Sequence, residues 1–98
     1  MRTAIYHLKN LTPSRAKTFY TQIWKQLAEA SHYLELSFYD WDVCFYPTNY
    51  DFLLEHKKFY LSATKDGYKL FPLLDGVIKE VLQFSKIKYK VEFKEFPE

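Results

Sequence analysis

The sequence predicts an α+β domain in which two helices cover one face of a mainly antiparallel sheet. The clearest sign is the stretch over residues 86–94, which alternates strictly. Ile87, Tyr89, Val91 and Phe93 occupy one phase, and Lys86, Lys88, Lys90, Glu92 and Lys94 the other. Successive side chains of a strand point to opposite faces, so this segment has one dry face and one cationic, wet face. Two other segments, about residues 13–32 and the stretch from Pro72 to Leu82, repeat their apolar residues at helical spacing instead. A sheet with its core on one side only, and helices on that side, satisfies all three.

A chain of 98 residues is expected to form a single domain, residues 1–98, that folds without staples. Two glycines leave little room for phosphate-cradling loops, while an aromatic fraction of 20% is high. Nine Tyr and nine Phe are more than a core this small encloses easily, so some rings are expected at the surface or in an interface. The net charge of +2 makes whole-molecule attraction to nucleic acid weak. One cysteine, Cys44, excludes an internal disulfide and any zinc-finger spacing. No apolar run has the length of a signal peptide or membrane span, so a soluble, cytoplasmic protein with no membrane contact is expected.

In chain order, residues 3–9 read as a strand with Ala4, Tyr6 and Leu8 on one phase. Thr12-Pro13 marks a helix entry, with Thr12 as cap and Pro13 at the first helical position. The helix that follows carries Ala16, Phe19, Tyr20, Ile23, Trp24, Leu27 and Ala30 on one face. Residues 34–46 are rich in strand formers but change phase partway, from Leu34, Leu36 and Phe38 to Tyr39, Trp41, Val43 and Phe45. Either a bulge near Phe38-Tyr39 or two strands meeting at Asp40 accommodates the change. A short helix over residues 50–57 follows, capped by Thr48 or Asn49, with Phe52, Leu53 and His56 on one side. Residues 58–64 alternate again. Asp66-Gly67 is a hairpin signal, with residues 68–71 as the return arm. Leu73, Leu74, Val77, Ile78, Val81 and Leu82 define the second long helix. Residues 96–98 read as a frayed tail.

This order, β-α-β-[insert]-β-β-α-β, resembles the ferredoxin-like two-layer sandwich. The plan puts the last strand at an edge beside the first and leaves the outer sheet face open. It hosts enzymes, RNA binders and regulators alike, so function rests on particular residues.

Two groups of residues compete. Tyr39, Trp41, Phe45, Tyr46, Tyr50 and Phe52 belong to an aromatic-rich segment, residues 39–60, that two core-forming helices do not need. It is expected either to cover the sheet or to form a partner interface, in the first place a symmetric homodimer. The second group is the lysine row Lys86, Lys88, Lys90 and Lys94, with Tyr60 and His7 as stacking residues for RNA or single-stranded DNA. Lysines on an edge strand also guard against aggregation. Asp40 and Asp42 share a strand face and are weak metal candidates, with Asp51 or Glu55 as third ligand and a metal-dependent nuclease as the implied activity. The bland reading makes them solvated.

Cys44 is expected to be a packed thiol. His7, His32 and His56 show no ligand spacing. No phosphate loop, nucleophile elbow or zinc-protease pattern is present, so no catalytic residue and no cofactor are expected. The leading expectation is a non-enzymatic protein-interaction module acting through the aromatic patch. In composition it looks like phage and mobile-element inhibitors or regulators. Nucleic-acid binding is the alternative.

Overall fold

The computed structural model describes residues 1–34 and 42–97. The elements are β1 (Arg2–Leu8), α1 (Pro13–Leu34), β2 (Val43–Tyr46), α2 (Tyr50–His56), β3 (Lys58–Ala63), α3 (Phe71–Phe84) and β4 (Tyr89–Glu95). The strands form one antiparallel sheet in the order β2-β3-β1-β4. Each long helix thus joins two strands that have a third strand between them, which is the ferredoxin-like connection. Among the described residues no helix is long and apolar enough to cross a membrane.

Local chemistry explains most boundaries. The Thr12 hydroxyl accepts from the Arg15 amide at 3.2 Å and the Thr12 carbonyl from Ala16 at 2.8 Å, opening α1. Asn49 caps α2 by accepting from the amides of Asp51 and Phe52. Lys57 ends α2 in the left-handed region at φ 56°, and its amide bonds back to Leu53. Pro72 stands in the first turn of α3, where a missing amide costs nothing.

Several expectations are corrected. Asp66-Gly67 makes no hairpin: residues 65–67 form a turn of 3₁₀ helix and the chain runs through further turns into α3. A two-residue hairpin of that sequence needs positive φ at its centre, and no described glycine has it. Tyr68 and Leu70 pack against the core instead of pairing. On α2, Leu53 is buried while Phe52 and His56 lie together on the exposed side. Phe96 is tied down rather than frayed, its amide donating to the Met1 carbonyl at 2.8 Å. The phase change near residues 38–40 lies outside the described residues. Within them, α1 runs through Leu34 and β2 begins only at Val43.

The core lies between sheet and helices. Ala4, Tyr6 and Leu8 from β1 meet Phe59, Leu61 and Ala63 from β3 on the inner face. Ala16, Phe19, Ile23 and Leu27 from α1, and Leu74, Ile78, Val81 and Leu82 from α3, close over them. Phe19 meets Phe59 edge-on at 5.2 Å. Leu53 anchors α2 to the same cluster. The Tyr6 ring is fully buried, and its hydroxyl donates to Asp75 on α3 at 2.5 Å. Burial, and then the Asp75 hydrogen bond and charge, push the Tyr6 hydroxyl well above its ordinary pKa.

Candidate functional site

The strand register lays out the outer sheet face as a grid. One row runs Cys44, Ser62, Thr3, Lys94 and the next Tyr46, Tyr60, Ile5, Glu92. Lys58, His7 and Lys90 form the third. The Lys9 amide donates to the Lys88 carbonyl at 2.7 Å, which continues the register and adds a fourth row of two lysines. Cations are therefore concentrated at one end of the face. Lys57 and Lys86, both exposed and both at positive φ, sit on the loops that flank it.

Charge pairing at this end is sparse. Glu92 is the one acid on the grid. It bonds His7 at 3.1 Å and approaches Lys94 at 3.7 Å. The His7 hydrogen bond first, and Lys94 second, hold the Glu92 carboxyl below the usual carboxylate range. Among the described residues, Lys9, Lys58, Lys88 and Lys90 make no ion pair, whereas Arg2 and Lys79 are held by Glu95 and Asp75. Lys9 and Lys88 stand opposite each other on neighbouring backbones, and His7 separates Lys58 from Lys90; like charges so placed disfavour one another until an anion joins them.

Next to the lysines are the rings. Tyr46 and Tyr60 lie across from each other on β2 and β3, with centroids 5.9 Å apart and planes tilted by 59°. Tyr46 is 50% exposed. The two tyrosines, with Pro47, His56 and Lys58, line a cleft at the edge of the face. Phe52 extends it along α2, its ring 6.0 Å from His56. Thr3 and Ile5, in mid-sheet, are buried.

The structure separates the expected aromatic patch. Phe45 is on the core phase of β2 and meets Trp24 edge-on at 6.2 Å. Tyr50 turns toward α1, its ring 6.3 Å from Tyr20 and its hydroxyl donating to the Pro13 carbonyl at 3.1 Å. Tyr20 contacts Trp24 and also donates to the Thr48 carbonyl, so Tyr50, Tyr20, Trp24 and Phe45 form one chain of rings that docks this region on α1. Only Tyr46 and Phe52 of the described members point outward, because alternation in β2 and the helical turn of α2 send their neighbours in. Tyr39 and Trp41 lie outside the described residues.

Of the lysine group, Lys90 and Lys94 share the outer face with His7 and Tyr60, Lys88 stands just before β4 with its carbonyl accepting from the Lys9 amide, and Lys86 is on the preceding loop. Lys9, Lys58, His56 and Tyr46 belong with them and were not grouped with them by sequence. For Lys58 the signal was available, since it lies two residues from Tyr60 in an alternating strand. For Lys9 and His56 it was not, because only the register and the docking of α2 bring them near.

Cys44 is exposed rather than packed, since Val43 and Phe45 take the inward phase of β2. Asp40 lies outside the described residues. Asp42 is exposed at φ 50°, its carbonyl accepting from the Thr64 amide at 3.0 Å. Among the described residues no three His, Cys, Asp or Glu side chains gather as a metal ion needs.

The assembled groups offer flat rings, several unpaired cations and open approach. That chemistry suits an extended, flexible polyanion with planar groups along it. Comparison with known protein families, curated proteins and solved structures returns no match for this chain.

Proposed function

We propose that the protein is a binding module for single-stranded nucleic acid, using the basic end of its outer sheet face. The observation that carries this reading is the grid of unpaired lysines, Lys58, Lys90, Lys9 and Lys88, beside the Tyr46–Tyr60 pair. Lysines take the phosphates and the tyrosine rings take unstacked bases, which a duplex does not present. A modest net charge of +2 is no obstacle, because the contacts depend on local charge density.

The test is fluorescence anisotropy with a labelled oligothymidylate and an oligouridylate of matched length. Engaging four phosphates gives a slope of log affinity against log salt of about −3. Lys58→Glu with Lys88→Glu should abolish retention, and Tyr60→Ala should weaken it by about 1–3 kcal/mol. No binding at low salt, or binding that both variants leave intact, refutes the reading.

A second reading, a protein partner held through Tyr46 and Phe52, is favoured by their exposures of 50% and 47%. It requires binding that is weakly dependent on salt and lost in Tyr46→Ala with Phe52→Ala.

A further inference from the structure

We infer that the free edge of β4 is a self-association surface, through which two copies join their sheets by antiparallel pairing of β4 with β4. This dimer differs from one built on the aromatic segment, and it draws Lys90, one of the lysines of the proposed nucleic-acid site, into a pair with Glu92 of the second copy.

The backbone sets the first condition. Met1 and Phe96 exchange both main-chain hydrogen bonds, at 2.7 and 2.8 Å, and the Lys9 amide donates to Lys88. With the β1–β4 register between these ends, the even-numbered residues of β4 direct their amides and carbonyls at β1. Tyr89, Val91, Phe93 and Glu95 therefore direct theirs away, toward the edge where, among the described residues, the sheet stops. The same residues carry the inward phase, and that phase is incompletely covered: Tyr89 and Val91 are half-buried and Phe93 is 56% exposed. Free hydrogen-bonding groups and uncovered apolar side chains thus coincide along one edge, and an added strand satisfies both.

The side chains select the occupant and its register. Antiparallel self-pairing that keeps inner faces together has three central registers. With Glu92 opposite its own copy, Lys90 meets Lys94, and every outer pair is like-charged. With Phe93 opposite itself, Tyr89 falls across from Pro97, which has no amide to give. With Val91 opposite itself, Tyr89 pairs with Phe93 on the inner face and Lys90 with Glu92 on the outer face, each twice by symmetry. Lys90 and Glu92 then occupy non-hydrogen-bonded positions, where side chains approach most closely. Lys88 opposite Lys94 is the one unfavourable pair, at the ends of the contact.

The result is an isologous dimer whose sheets merge, with the dyad through Val91 and normal to the sheet. Both outer faces then lie on one side.

The test uses sedimentation equilibrium of the whole chain from about 1 to 500 µM. The chain mass is 11.9 kDa, and a concentration-dependent rise to twice this value is expected. Lys90→Glu and Glu92→Lys, each alone, place like charges across the dyad. Each should weaken association on the order of tenfold or more. Mixing the two variants restores opposite charges at every central pair, so a heterodimer should form where neither variant dimerises. Val91→Pro removes an amide that β1 does not use and should also give a monomer, with an unchanged circular dichroism spectrum. A monomer throughout the range overturns the inference. So does a dimer indifferent to these substitutions.

Discussion

The Tyr6 hydroxyl and the Asp75 carboxylate meet inside the two-layer sandwich, joining the strand at the centre of the sheet to α3. Asp75 also receives the Lys79 ammonium at 2.9 Å, so one carboxylate orders a buried phenol and a half-exposed amine. Tyr6→Phe should cost about 1.5–3 kcal/mol, the range for a hydrogen bond to a charged group. The pH dependence gives a second readout. Tyr6 holds its proton in the folded protein well above its ordinary value of 10.0, so its contribution is complete below pH 10. Above that, the unfolded chain ionises first and stability falls, by up to about 1.4 kcal/mol per pH unit. Urea unfolding at pH 9 to 11.5 should show a slope one proton steeper for wild type than for Tyr6→Phe.

Adjacent residues of β2 should separate fold from binding. Phe45→Ala removes a ring from the Trp24 contact and should cost about 2–4 kcal/mol. Tyr46→Ala should change stability by less than about 1 kcal/mol, while weakening nucleic-acid retention. Thermal melts of the two variants, run beside anisotropy titrations, check the phase of the strand.

Gly76 is an exposed helical position on α3, and a Cβ built there meets nothing within 4 Å. Gly76→Ala should therefore stabilise by about 0.5–1 kcal/mol. A domain of this size should melt several degrees higher, by roughly 4–8 °C per kcal/mol.

Asn10 joins the end of β1 to the start of β4. Its carbonyl oxygen accepts from the Lys88 amide at 2.7 Å, and its side-chain amide donates to the Lys86 carbonyl at 3.2 Å. Asn10→Ala should cost about 1–3 kcal/mol. Asn10→Asp keeps the acceptor and should lose less. Hydrogen exchange at Lys88 should rise in the alanine variant and stay protected in the aspartate one.

How much of this was legible in the chain depends on the range of the interaction. Thr12-Pro13 and the apolar face of α1 are local signals that appear in the fold as expected, whereas the alternation of residues 86–94 becomes a strand only from Tyr89, with Lys86 on the loop before it and Phe93 of the dry phase 56% exposed. Asp66-Gly67 misled because a favourable turn dipeptide was overridden by the burial of Phe71 and the docking of Tyr68 and Leu70. Cys44 was misplaced for a related reason: its residue type favours burial, whereas strand phase gives the inward positions to Val43 and Phe45. The candidate site was legible only in part. Strand phase put Lys88, Lys90 and Lys94 on a wet face, but the neighbours of that face come from pairing. His7 reaches Glu92 across 85 positions of sequence, and a separation of that kind leaves no periodic trace.

The central place of β1 has a consequence for synthesis. Its partners are β3 and β4, residues 58–63 and 89–95. Of the described strands it is the first to leave the ribosome, yet both its neighbours are made later. Ala4, Tyr6 and Leu8 wait through the translation of some eighty residues, several seconds at typical rates, before β4 arrives. During that interval α1 is the nearest element that can shelter them. The nascent chain should therefore remain open to chaperones until β4 is made.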